Sequence, residues 1–133
     1  MPTFRDLVIR VAEKPTGESH AAFCDALRKA TVFVRLIGIP DPDVPGERYI
    51  VPKGAQVRTR SVRLRQGMQM VRISATPPRE VAPDEVIATM TGEEALRMAM
   101  QMDGHGLIVA AEDKRNSWTA ITRQGIASLL KTP

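Results

Sequence analysis

The chain has 133 residues, of which 43% are hydrophobic and 26% charged, a balance that excludes a wholly disordered protein and predicts one folded domain over residues 1–133. Its single cysteine, Cys24, excludes an internal disulfide and a cysteine-rich metal centre. The N-terminus has no apolar run typical of a signal peptide and no segment is apolar enough to span a membrane, so we expect a cytoplasmic protein without a membrane partner.

The net charge of +4 is unevenly distributed along the chain. Residues 48–79 contain eight basic residues and no acidic one, which leaves eleven basic and fifteen acidic residues elsewhere, a balance of −4. We therefore expect an acidic body with one basic middle segment, a distribution that bears more on binding than the net charge does.

The N-terminal part of the chain predicts two helices followed by a buried strand. Apolar residues recur at helical spacing in residues 3–14 and 18–30, on either side of a Pro-Thr-Gly break. Residues 31–37, TVFVRLI, are nearly apolar on both faces, which is typical of an inner strand. Residues 38–47 hold three prolines and three acidic residues and predict a loop, after which residues 48–51 predict a short edge strand.

The basic middle segment predicts a β-hairpin. Gln66 and Gly67 are candidates for a two-residue turn, which would place Arg63 opposite Met70. Because side chains alternate along a strand, this register separates an apolar face from a basic one. The basic face, here called the arginine–methionine face, consists of Arg63, Arg65, Met68, Met70 and Arg72.

Two further arginines do not fit this hairpin. Arg58 and Arg60 have the same parity as the apolar residues Val62 and Leu64, so a straight strand would turn unpaired charges toward the core. We therefore expect the strand to begin near Ser61 or to bulge near Arg60.

The C-terminal half predicts three strands and two helices. Thr91 and Glu94 have the spacing of a capping box, which marks the start of a helix that ends near Met102. The remaining elements are a loop over residues 75–83, strands over 86–90, 107–111 and 118–121, and a last helix that Thr122 caps and that runs through Leu130. The order α-α-β-(β)-β-β-β-α-β-β-α has more hairpins than crossovers and predicts an α+β fold with helices packed on a mixed or antiparallel sheet.

Few residues suggest catalysis. His105 lies between two glycines and could serve as a base or a metal ligand, although the segment DGHG is also typical of an exposed helix-to-strand connector. Cys24 lies within a predicted helix without a neighbouring cation, so an ordinary, partly buried cysteine is expected. The chain has no Walker or GxGxxG motif and only two histidines, so we predict no cofactor, no metal and no enzymatic activity.

Three interpretations of the arginine–methionine face remain open. Its charges can be solvated or paired with the acidic loop of residues 38–47, which would leave it without a partner. Arginine and methionine together are typical of a protein interface, including one between identical subunits. Arginines also suit phosphates, although Tyr49 is the only aromatic residue of the basic segment and single-stranded nucleic acids favour stacking rings.

Three stretches carry a family resemblance. The segments FCDALRKATVFVRL (residues 23–36), QGMQMVRISATP (66–77) and residues 85–130 resemble the N-terminal domain family of the enhancer-of-serine-sensitivity protein SseB, also described as type III secretion SseB-like. The resemblance covers most of the chain after residue 18. Ala-Ala-Glu at 110–112 stands where the family has an Asn-Pro-Gly turn, and SATPP replaces its aromatic FTS element.

The resemblance implies a small α+β domain of a bacterial cytoplasmic protein. It implies no reaction, because the family has no established catalytic residues, and no functional residue is carried over. We expect a non-enzymatic domain that binds another protein, or itself as a homodimer, with the arginine–methionine face as the first candidate surface. Binding of a nucleic acid or an anionic ligand by the same arginines is the alternative.

Overall fold

The computed structural model describes residues 3–37, 58–59, 61–63, 67, 69–81, 85–101 and 106–131. Several sequence predictions concern residues outside these ranges, namely the loop of 38–47, the edge strand of 48–51, Arg65, Met68 and His105. The described elements have the α+β composition and the order that the sequence predicts.

The described residues form four helices, and a threonine side chain caps the start of each; the sequence marks two of these caps, Thr91 and Thr122. Thr16 caps the second helix by accepting from the backbone of Ser19. Thr3 accepts from the backbone of Asp6, Thr91 accepts from that of Glu94, and Thr122 from that of Gly125. The Glu94 carboxylate accepts in turn from the Thr91 backbone at 3.2 Å, which completes the predicted capping box. The helices are α1 (Phe4–Glu13), α2 (Gly17–Leu27), α3 (Gly92–Gln101) and α4 (Arg123–Lys131).

The described strands are β1 (Thr31–Ile37), β2 (Arg58–Thr59), β3 (Ser61–Arg63), β4 (Gln69–Ser74), β5 (Glu85–Thr91), β6 (Gly106–Ala110) and β7 (Trp118–Thr122). They form one mixed sheet whose five main members lie side by side in the order β5-β1-β4-β6-β7. β4 and β6 are parallel and are connected through β5 and α3, and the other main pairs are antiparallel.

The two short strands β2 and β3 lie where β1 and β4 diverge. β1 pairs with β4 only at Phe33 and Val34, while its end pairs with β2. β3 in turn pairs with the beginning of β4. Residues 58 and 59 thus pair with β1 and residues 61–63 pair with β4, whereas the irregularity expected near Arg60 lies outside the described residues.

The predicted register of the hairpin is wrong by one residue. β3 pairs Val62 with Met70 and Arg63 with Gln69, whereas a two-residue turn requires Val62 opposite Val71 and Arg63 opposite Met70. The connection is therefore longer than two residues, with Gly67 at a φ of +77°. Because β4 also pairs with β1 and β6, the sheet fixes the position of β4 independently of the turn.

The core lies on one side of the sheet, and all four helices contribute to it. Val34 of β1, Ile73 of β4 and Leu107 of β6 are buried against apolar residues of the helices, among them Phe23 of α2 and Leu96 of α3. The other side of the sheet has no helix among the described residues, and we call it the open face. No described helix is both long and apolar enough to cross a bilayer.

Candidate protein-binding surface

The open face contains a row of side chains that crosses the whole sheet. The registers place Phe33 beside Thr89 on one side and beside Ser74 on the other. They continue the row from Ser74 to Ala110 and from Ala110 to Trp118. In the middle of this row, the small residues Ser74 and Ala110 therefore lie between the aromatic residues Phe33 and Trp118.

Trp118 is the aromatic residue of this row that solvent reaches most. It is 44% exposed, and only Val81, at 48%, is another exposed large apolar residue in the described part of the chain. Trp118 is also the only tryptophan of the protein. A tryptophan combines a large apolar area with one N–H donor, which is why this residue type is enriched where proteins bind one another.

A second row carries two arginines at its centre. Arg35 of β1 lies beside Ile87 of β5, and Arg72 of β4 lies beside Ile108 of β6. Both arginines alternate with core residues of their strands, because Val34, Leu36, Val71 and Ile73 face the helices. The strand of residues 31–37, predicted to be nearly apolar on both faces, thus has its one charged residue, Arg35, on the open face.

Arg35 and Arg72 belong to an ion-pair network with two acids. Arg35 Nη1 lies 3.1 Å from Glu85 Oε1, and its Nη2 lies 3.2 Å from Glu112 Oε2. Arg72 Nη2 lies 3.5 Å from the other oxygen of Glu112. Among the described residues the network consists of two arginines and two glutamates, and Glu112 joins both arginines.

The network also attaches the loop after β4 to the sheet. Arg35 Nη1 donates to the backbone carbonyl of Glu80 at 2.5 Å. At the start of the same loop, Ser74 Oγ donates to the carbonyl of Thr76 at 2.7 Å. Arg35 thus connects two acids and one loop, and it is the central residue of the open face.

The predicted arginine–methionine face is not assembled as the sequence suggests. Met70 is fully buried, so its thioether has no surface to offer a partner. Arg72 is paired with Glu112, and its Nε is buried without a hydrogen-bond acceptor. Arg63 lies opposite Gln69, and Arg65 and Met68 are outside the described ranges. Partner binding by the remaining residues stays a prediction.

Cys24 has one polar neighbour, His20, on the same helix. Cys24 Sγ lies 3.5 Å from His20 Nε2, four residues earlier. Burial raises the pKa of the Cys24 thiol, and the carboxylate of Asp25 raises it further. A raised pKa lowers the thiolate fraction at neutral pH, which is the reverse of what a nucleophilic cysteine requires.

We therefore expect the thiol of Cys24 to react slowly. In a stopped-flow assay with a chromogenic disulfide, the folded protein should react more slowly than the same protein in denaturant. The midpoint of its rate against pH should lie above that of the denatured chain, because the folded state disfavours the thiolate. Equal midpoints in the two states would contradict this assignment.

The described residues contain no group of three or more metal-ligating side chains placed to hold a metal ion. Comparison of the chain with family models, with curated proteins and with solved structures gives no match. The resemblance to the SseB-like family therefore stays a prediction.

Proposed function

We propose that this chain is a non-enzymatic, protein-binding domain of a bacterial cytoplasm, of SseB-like type, and that the open face is its binding surface. One observation carries the proposal. The described helices pack on one side of the sheet, and the open face on the other side presents the exposed ring of Trp118. An exposed tryptophan beside an ion-pair network supplies the apolar anchor and polar surroundings typical of an interface.

Exposed arginines on the open face and in the loops that border the sheet favour a partner that presents an apolar side chain next to carboxylates. Arg115 is exposed in the turn that leads to Trp118, and the Arg72 side chain is 42% exposed despite its ion pair. Arg79 is exposed in the loop that Arg35 attaches. An arginine near an apolar anchor binds a carboxylate with two parallel hydrogen bonds, so an acidic and apolar protein segment fits best.

A nucleic acid fits the same side less well. Glu85 and Glu112 already neutralise Arg35 and Arg72, and a phosphate would have to displace these carboxylates. Binding of this kind would also weaken steeply as salt is added, because each phosphate contact releases counter-ions. A second copy of the chain is a further candidate protein partner, and it would bind at the edge of the sheet next to Trp118.

The proposal is tested by photo-crosslinking in living cells. A benzophenone side chain replaces Trp118 in one strain and, as the control, Arg97 on the exposed side of α3 in another. We expect protein crosslinks from position 118 and few from position 97. The captured protein is then identified, purified and titrated against the native chain.

The titration decides whether the crosslink reports binding. Trp118→Ala should raise the dissociation constant about tenfold or more, whereas Arg97→Ala should leave it within about twofold. Equal crosslinking from both positions, or equal affinity of the Trp118→Ala and native proteins, would refute the open face as the surface. Binding of a mixed oligonucleotide that decreases with salt would assign the face to nucleic acid instead.

A further inference from the structure

β7 is the last strand of the sheet, and its outer edge pairs with no other described strand. The direction of its backbone groups follows from its pairing with β6. Ala111 donates to the carbonyl of Ser117 at 2.8 Å, and bonded pairs alternate along an antiparallel ladder. Thr119 and Ile121 therefore also bond to β6. Trp118 and Ala120 direct both their N–H and C=O groups outward, and Thr122 directs its N–H outward, because the carbonyl of this N-cap residue accepts the first hydrogen bond of α4.

The sequence of β7 lacks the residues by which proteins commonly prevent edge pairing. β7 reads WTAIT, with three β-branched residues, no charge and no proline. Natural edge strands are commonly blunted by lysine, proline, a bulge or an inward-pointing charge. Trp118 is the first of the residues of β7 that direct backbone groups outward. Exposed apolar surface and outward-directed backbone groups therefore lie at the same edge of the sheet.

We propose that β7 pairs antiparallel with β7 of a second copy of this chain, around a twofold axis at Ala120. In this register Ala120 faces Ala120, and Trp118 faces Thr122 of the second copy at both ends. It is the register in which all three outward-directed residues find partners. Registers centred on Trp118 or Thr122 pair fewer of them. An edge that pairs with itself closes a symmetric dimer, whereas pairing with a different edge leaves an open chain of subunits.

The dimer extends the open face without covering it. Residues directly opposite in an antiparallel pair have their side chains on the same face of the sheet, so the open faces of both copies become continuous. The two Trp118 residues then lie on one surface, roughly 14 Å apart along and across the paired strands. The inference goes beyond the proposed function, because it holds whether or not the open face binds another protein.

The test is the mass of the protein in solution, measured by sedimentation over a range of concentrations. Ala120→Pro removes the backbone N–H that would donate to the second copy and costs no hydrogen bond to β6, since Ala120 does not donate to β6. Ala120→Lys places two positive charges opposite each other at the twofold axis. We expect a dimer for the native protein and for the control Ala120→Ser. Ala120→Pro and Ala120→Lys should each raise the dissociation constant of the dimer about tenfold or more, and the circular dichroism spectrum should stay unchanged.

Amide hydrogen exchange of the native protein keeps the inference testable even where a variant fails to fold. In the dimer, the amides of Trp118, Ala120 and Thr122 should become protected as concentration rises, while those of Thr119 and Ile121 are protected at every concentration. A native protein that stays monomeric, a dimer that survives both substitutions, or outward amides that exchange rapidly at all concentrations would overturn the inference. A monomer that still crosslinks another protein from position 118 would leave the proposed function standing.

Discussion

Gly92→Ala should destabilise the protein by about 3 kcal/mol, although alanine is the better helix former. Gly92 is the first residue of α3, and a Cβ atom there would lie 1.6 Å from the backbone oxygen of Leu27 and 2.6 Å from its carbonyl carbon. Both atoms belong to the backbone, so no rotation of a side chain relieves the clash. The helix propensity that alanine gains, at most about 1 kcal/mol, is too small to offset it.

The clash occurs at a contact that joins two helices. The N–H of Gly92 donates to the carbonyl of Ala30 at 2.8 Å, and that of Glu93 donates to the carbonyl of Arg28 at 3.0 Å. The start of α3 thus supplies donors to carbonyls at the end of α2, where both groups would otherwise need water. Arg28 also binds the side chain of Glu93 at 3.1 Å, and this hydrogen bond lowers the pKa of the Glu93 carboxyl. Moving the two helices apart would therefore weaken several interactions together.

Gly17→Ala is the matched control for this substitution. Gly17 is the first residue of α2, and a Cβ atom there meets no other atom within 4 Å. We expect its free energy of unfolding to be unchanged or raised by up to about 1 kcal/mol. Denaturant titrations of the two variants and the native protein make the comparison. Similar stabilities for Gly92→Ala and Gly17→Ala would show that α2 and α3 do not approach each other this closely.

The start of α3 has one feature that the local sequence predicts, the capping box, and one that it does not, the close contact of Gly92 with Leu27. The capping box of Thr91 and Glu94 involves residues three positions apart, so its spacing alone marks the start of the helix. The close approach of Gly92 to Leu27 joins residues 65 positions apart and depends on how two helices pack. Nothing in the sequence around Gly92 distinguishes it from a glycine that merely begins a helix.

In the basic segment of residues 48–79 as well, some features follow from the local sequence and others depend on residues far away in the chain. The parity of Arg58 and Arg60 predicts an irregularity near residue 60, because burying an unpaired charge is costly whatever the topology. Residue 60 lies outside the described ranges, so this irregularity stays a prediction. The register of the hairpin was predicted from a two-residue turn, and it is wrong by one residue, because β4 is held by β1 and β6 on its two edges. Those pairings involve residues far away in the sequence.

The candidate surface was the least predictable part of the molecule. Arg35 is the one charged residue in TVFVRLI, which was a signal that this strand has a polar side. Its partners Glu85 and Glu112 lie 50 and 77 positions later in the chain. Trp118 was placed correctly on a returning strand, but its exposure depends on all four helices contributing to the core on the other side. Sequence pattern assigns residues to faces of one element and does not say on which face of a sheet the helices pack.

The second large effect is expected at Arg35. Arg35→Met should lower the free energy of unfolding by about 2–3 kcal/mol, because it takes away an arginine that contacts two shielded acids. The Glu85 side chain is 4% exposed and that of Glu112 is 16% exposed, so water replaces the lost partner poorly. The loop carbonyl of Glu80 loses its donor as well. Methionine retains most of the apolar stem, so the change reports mainly on the guanidinium.

Arg72→Met is the control on the same face. Its side chain is 42% exposed, twice the 21% of Arg35, and a single contact of 3.5 Å joins it to Glu112. An ion pair with this degree of solvent access contributes about 1 kcal/mol or less, so we expect a correspondingly small loss. Equal losses for Arg35→Met and Arg72→Met would mean that solvent screens both arginines alike and that Arg35 does not organise the face.

A double-mutant cycle separates the ion pair from the general effect of removing a charge. Glu85→Gln keeps the size of Glu85 and one acceptor oxygen, but it removes the charge and replaces the other oxygen with an NH2 donor. When Arg35→Met is already present, this substitution should cost less than it does alone, since the carboxylate no longer has Arg35 to stabilise it. Strictly additive losses would show that the 3.1 Å contact contributes no coupling. A coupling of about 1 kcal/mol or more would establish that the charge pattern of the open face is fixed by pairing within the chain, and that its central arginine has a structural role before any partner binds.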